Sequence, residues 1–159
     1  MSIAGTIFLM VTVNLLGGTH GVLEAVPVLI LAAYLVYAFR VRQRLPAIHE
    51  PTKQASKVIM WSSVGEGFGI LVAINIVKNI GHPEWVVPAM ALVVGLHFLP
   101  MAFAIPFKLF YVLGLTLIAG SIVGTLLSPA VGPVLSGLIA SLGLWTASVL
   151  ALRREASWA

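Results

Sequence analysis

Apolar residues run in long blocks along this chain, and the polar ones gather in the gaps between them. The first block is Ile3 to Leu16. Gly17-Gly18-Thr19-His20-Gly21 then reads as a tight turn, because glycine tolerates positive φ. The second block, Val22 to Phe39, carries Pro27 in its first turns, where a missing N–H costs least. A polar, basic loop from Arg40 to Lys53 follows and is the longest break in the chain. The third block runs from Ser56 to Ile80, and Gly81-His82-Pro83 turns into the fourth, which opens on Glu84 and Trp85. Pro106-Phe107-Lys108 breaks before the fifth block, Leu109 to Leu127, and Ser128-Pro129 before the sixth, Ala130 to Leu152.

Apolar blocks of about 18 residues or more, with few charges, read as transmembrane helices. The pattern therefore predicts an all-α, polytopic membrane helix bundle with six transmembrane helices, forming a single transmembrane domain over residues 1–159. The first block is short: at about 1.5 Å per residue it reaches about 21 Å, against a hydrocarbon core of about 30 Å. It must extend through its glycine-rich end, sit in a local mismatch, or stop in a wet crevice. Small residues recur at helix-packing intervals: Gly65, Gly69 and Ala73; Gly120 and Gly124; Gly137, Ser141 and Trp145. Such stripes let backbones approach closely in lipid.

Composition agrees with this pattern. The chain is 60% hydrophobic and only 9% charged, whereas soluble domains carry roughly 25% charged residues. So few charges cannot cover a soluble globule. The net charge of +4 does not point to nucleic acid, because the basic residues sit where membrane topology places them. With the Arg40–Lys57 loop cytoplasmic, Arg40, Arg42, Arg44, Lys53, Lys57, Lys108, Arg153 and Arg154 all lie inside, and of the nine basic residues only Lys78 lies outside. The positive-inside rule thus puts both termini and this loop in the cytoplasm, and the protein in the cytoplasmic membrane as a multi-pass chain. MSIAGTIFLM has no basic n-region, so it reads as a retained helix and not a signal peptide.

The candidate chemistry centres on Glu66, in the middle of the third block. A carboxyl group in hydrocarbon costs about 2.5–3.5 kcal/mol on insertion scales, so it normally faces the protein interior and a partner. His97, in the middle of the fourth block, is the candidate partner. Helical rise places each group about 12 Å from the inner boundary, and consecutive antiparallel helices are usually neighbours. At 100° per residue, Ser62, Ser63, Gly69, Ile70 and Ala73 fall within about 60° of Glu66, on a small, polar face, while Asn75 lies opposite. Glu66, His97, Ser62 and Ser63 are therefore expected to form a substrate-binding or proton-linked site, since a buried acid and imidazole can couple protonation to solute binding. The competing reading is a buried pair that only fixes helix register. Pro88 and Pro100 are expected to interrupt the fourth block on either side of His97. Asn14, His20 and Glu24 form a second polar set, the mouth of an outer crevice or simply interfacial residues reaching water.

Cofactor chemistry has little support in the sequence. Met90, His97 and Met101 lie within about 40° of one another on a helix, and thioether with imidazole suits Cu(I) or haem. Ordinary methionine packing accounts for the same residues, so no cofactor and no metal are expected. The chain has no cysteine and no aspartate, and no GxSxG, HExxH or P-loop, so nothing reads as an enzyme's catalytic machinery.

The stretch Gly81 to Pro100, GHPEWVVPAMALVVGLHFLP, resembles a family of small bacterial integral membrane proteins of unknown function. The matching positions are Pro83, Glu84, Trp85, Pro88, Gly95, His97, Phe98 and Pro100. The resemblance implies a multi-span helical fold and draws attention to His97; the family supplies no activity. The function expected from the residues is a small-solute carrier or membrane-embedded binding subunit, proton-linked through Glu66 and His97. Its partners are the bilayer, a small solute, and a second copy or a separate energising subunit of the kind that serves some vitamin importers. The alternatives are a haem- or quinone-binding membrane protein, and a structural or partner-binding membrane protein without a small-molecule site.

Overall fold

Each apolar block folds into a helix that ends where its backbone can be capped or turned. The computed structural model describes residues 1–16, 22–44, 52–105 and 107–156, through the backbone alone at 22–24, 42, 44, 155 and 156. Among these residues the helices are α1 (Ser2–Leu15), α2 (Val22–Arg44), α3 (Lys53–Asn79), α4 (Val86–Ala104), α5 (Leu109–Leu126) and α6 (Gly132–Ala156), with a single 3₁₀ turn at Pro83–Trp85 and no strand. Four of the helical stretches are long and apolar enough to cross a membrane: Lys53–Asn79, Pro83–Ala104, Leu109–Leu126 and Gly132–Arg154. The apolar helices Ser2–Leu15 and Ala25–Val41 are shorter.

The ends of α3 have clear causes. Thr52 caps α3, its Oγ1 accepting from the Ala55 N–H at 3.2 Å, which satisfies one of the donors a helix start leaves free. At the other end Gly81 takes φ +82. Its N–H reaches the Lys78 carbonyl and the His82 N–H reaches that of Val77. This paired closure needs a residue at ease in the left-handed region. His82 then stacks on Trp85 with ring centroids 4.0 Å apart and planes 11° apart, and its Nδ1 contacts Glu84 Oε1 at 2.9 Å.

Three expectations change. The basic loop is shorter than the residue pattern predicts, because α2 continues through Arg44; Arg and Gln are good helix formers and their heads can reach water beyond an apolar slab. α6 likewise runs on past Arg153 and Arg154. The prolines do not interrupt the fourth block: Pro88 sits in the first turn of α4 and Pro100 in its last turns, and the helix is continuous through both. Near a helix start a proline lacks only an N–H that had no partner. The turn at residues 17–21 and the centre of the basic loop lie outside the described residues.

Glycines set the packing. α4 and α5 meet backbone to backbone: a Cβ on Gly95 would stand 2.9 Å from the Gly114 carbonyl oxygen, and one on Gly114 the same from that of Gly95. α5 and α6 close in the same way through Gly124 and Gly132, and the Ser136 hydroxyl donates to the Gly120 carbonyl at 2.9 Å. α1 lies on α6, with Thr12 over Gly137 and the Trp145 indole over Gly5. The Gly137–Ser141–Trp145 stripe is thus a seat for α1. α3 packs on α4 and α2 chiefly on α1. The core, centred on Phe8, Val94, Phe98, Leu117 and Leu144, lies between α1, α4, α5 and α6. Gly65 departs from its predicted stripe: nothing lies within 4 Å of its would-be Cβ, whereas Gly69 meets Val93 at 2.9 Å.

Candidate functional site

Glu66 stands at the midpoint of α3 and His97 just past the midpoint of α4. Gly69 fixes their register. With no side chain of its own it lets α3 settle on Val93, one turn from each member of the pair. The result is a contact of 3.6 Å between His97 Nε2 and Glu66 Oε2. That is ion-pair range and just beyond a direct hydrogen bond. The imidazole is 7% exposed and the carboxylate 22%, so one face of the acid stays open while the base is enclosed. His97 also meets the edge of Phe98, with centroids 5.2 Å apart.

The described bundle holds two buried side-chain polar atoms without a partner, one of them in the pair. His97 Nδ1 is buried without a hydrogen-bond partner, and so is the Trp145 indole nitrogen. Buried polar atoms of this kind are uncommon in folded proteins and call for an explanation such as water, a ligand or a working role. The amino end of α1 lies within electrostatic reach of Glu66. A helix start carries partial positive charge from its free N–H groups, so α1 places such charge near the carboxylate.

The other predicted residues divide. Ser62, Gly69, Ile70 and Ala73 are half-buried, as residues on the α4 side of α3 should be, while Ser63 is exposed. Among the described hydrogen bonds neither serine hydroxyl reaches Glu66, so neither supplies the contact to the acid that the sequence suggested. Asn75 is exposed and donates to the Leu71 carbonyl at 2.8 Å, away from the site. Asn14 is exposed at the far end of α1 and donates to the Met10 carbonyl at 2.9 Å. Its predicted companions cannot be joined to it: His20 and the side chain of Glu24 lie outside the described residues. Met90 and Met101 pack against the apolar core. No group of three or more His, Cys, Asp or Glu side chains that could hold a metal ion occurs among the described residues.

Sequence reasoning missed two features of the bundle. Trp145 was legible only as a packing position. Its orphaned N–H follows from the closeness of Gly5, which depends on how α1 registers against α6. The approach of the α1 amino end to Glu66 has no local signal, because it depends on where α1 stops within the bundle. A groove of about 810 Å³ opens between the amino half of α3 and the carboxy half of α4. It lies between the pair and the α3 start, and neither Glu66 nor His97 lines it.

The family described as "Family of unknown function (DUF7010)" matches residues 47–154. No curated protein and no solved structure matches the chain. The matched region takes in α3, α4 and α5 whole and nearly all of α6, with both Glu66 and His97. Covering more than half of the chain, this match makes the protein a member of the DUF7010 family.

Proposed function

We propose that this chain is an integral protein of a bacterial cytoplasmic membrane that binds or carries a small solute, with protonation of the Glu66–His97 pair linked to solute occupancy. All six helices are embedded in this reading, and both termini and the α2–α3 connection face the cytoplasm, as the distribution of basic residues requires. One observation carries the proposal: a half-open carboxylate and an enclosed imidazole, 3.6 Å apart, at the centre of two apolar helices. Ionisable side chains at such depth are expensive and mark solute or proton pathways. The unpartnered Nδ1 of His97 leaves a second valence for a water or solute. The sequence carries no GxSxG, HExxH or P-loop motif, so the reading is binding or transport and not an enzyme.

A second reading treats the pair as a clasp that holds α3 in place. It is favoured by the packing of α3, which rests on α4 with few other contacts. The two readings separate in proteoliposomes holding a trapped pH dye and challenged with a panel of small polar solutes. The first predicts that one solute class shifts the internal pH with the wild-type chain and not with Glu66→Gln. Absence of any solute-driven shift in a folded wild-type preparation, with a Glu66→Gln variant that melts earlier, supports the clasp.

A further inference from the structure

The 810 Å³ groove differs in chemistry from the Glu66–His97 pair. It is lined by Thr52, Gln54, Ala55 and Val58 of the α3 start and by Leu99, Pro100, Phe103 and Ala104 of α4, with Tyr111 of α5 at its end. Its volume falls within the range of about 300–1,000 Å³ typical of ligand sites. Its two ends differ. Val58, Leu99, Pro100 and Phe103 make an apolar wall, and Phe103 is 87% exposed at its lip. Thr52, Gln54 and Tyr111 make a polar mouth where α3 and α5 begin.

Three lysines stand at that end of the helices. Lys53 and Lys57 flank the lining residues of α3, and Lys108 stands one turn from Tyr111, whose N–H bonds the Lys108 carbonyl at 3.1 Å. All three are exposed, and among the described residues none forms an ion pair. Among the described side chains the acids are Glu66, at the centre of α3, and Glu84, at the opposite end of α4. Nothing described at this end therefore balances the lysines. An apolar trough ending in a cationic rim has the polarity of one molecule class, an amphiphile with an anionic head.

We propose that this groove binds one anionic phospholipid, its acyl chain along Val58, Leu99 and Phe103 and its phosphate at Lys53, Lys57 and Lys108. Basic clusters at the end of a membrane helix attract anionic lipid specifically, because a zwitterionic head brings its own cation to the same place. The site is independent of the Glu66–His97 reading and stands or falls without it.

Native mass spectrometry of the purified full-length chain tests it. The protein is released from detergent after incubation with equal amounts of phosphatidylglycerol and phosphatidylcholine of matched chains. The expected result is one retained phosphatidylglycerol, favoured about fivefold or more, the factor one near-surface lysine contributes. Replacing Lys53, Lys57 and Lys108 together by Gln should bring the two lipids to parity. Val58→Trp, which fills the trough, should reduce retention of both. Glycerol phosphate without acyl chains should not displace the lipid. Circular dichroism confirms that the surface variants remain helical. Equal retention of the two lipids by the wild-type chain, an unchanged preference in the lysine variant, full retention in Val58→Trp, or displacement by the bare head group would each overturn the proposal.

Discussion

A carboxylate halfway along an apolar helix needs a partner, and here the partner is an imidazole on the neighbouring helix, 3.6 Å away. The contact depends on a glycine: a Cβ on Gly69 would meet Val93 at 2.9 Å. Gly69→Leu should therefore push α3 away from α4 and mimic Glu66→Gln in the solute-driven pH assay, although it changes no charged group. Wild-type behaviour in Gly69→Leu would show that the register is not what assembles the pair. Gly95 is under tighter constraint, because its neighbour is the backbone of α5. Gly95→Val should destabilise the bundle by about 1–3 kcal/mol, the usual range for overpacking, read as an earlier thermal transition in detergent. Glu66 and His97 were legible in the sequence because ionisable residues stand out in apolar blocks and helical rise gives their depth. The openness around Gly65 was not, since a small-residue step looks the same whether it faces a helix or lipid.

At the scale of elements, α3 is the least anchored of the four helices long enough to cross a membrane, resting on α4 with most of its apolar side chains exposed. Local opening tracks buried contact, so hydrogen exchange in micelles should proceed faster along α3 than along α5. Uniform protection of the two helices would contradict this packing. The Thr52 cap secures the end of α3 that borders the lysine-rimmed groove. Thr52→Ala should cost about 1 kcal/mol and speed exchange in the first turn of α3 without affecting α5. Helix positions were readable from apolar block length, yet their ends were not. Arg40, Arg42, Gln43 and Arg44 are polar, and only the structure shows that they extend α2. Polarity marks where a chain can leave lipid, not where its backbone stops being helical.

For the whole molecule, the unit recognised as a family begins just ahead of α3 and reaches almost to the end of α6, the same region that holds the four helices long enough to cross a membrane. The absence of cysteine gives a clean background for topology. Lys53→Cys and Ser128→Cys should react with an impermeant maleimide from opposite sides of the membrane, with Ser128→Cys labelled in intact cells. Labelling of both from one side would contradict an antiparallel run of spans. The central claim is that Glu66 and His97 act as one buried unit, and a double-mutant cycle on thermal stability tests it most directly. Glu66→Gln, His97→Phe and the double variant, measured in the same detergent, should be non-additive, with a coupling within the range of about 0.5–3 kcal/mol seen for residues in contact. Strictly additive losses would mean that the acid and the imidazole do not sense each other.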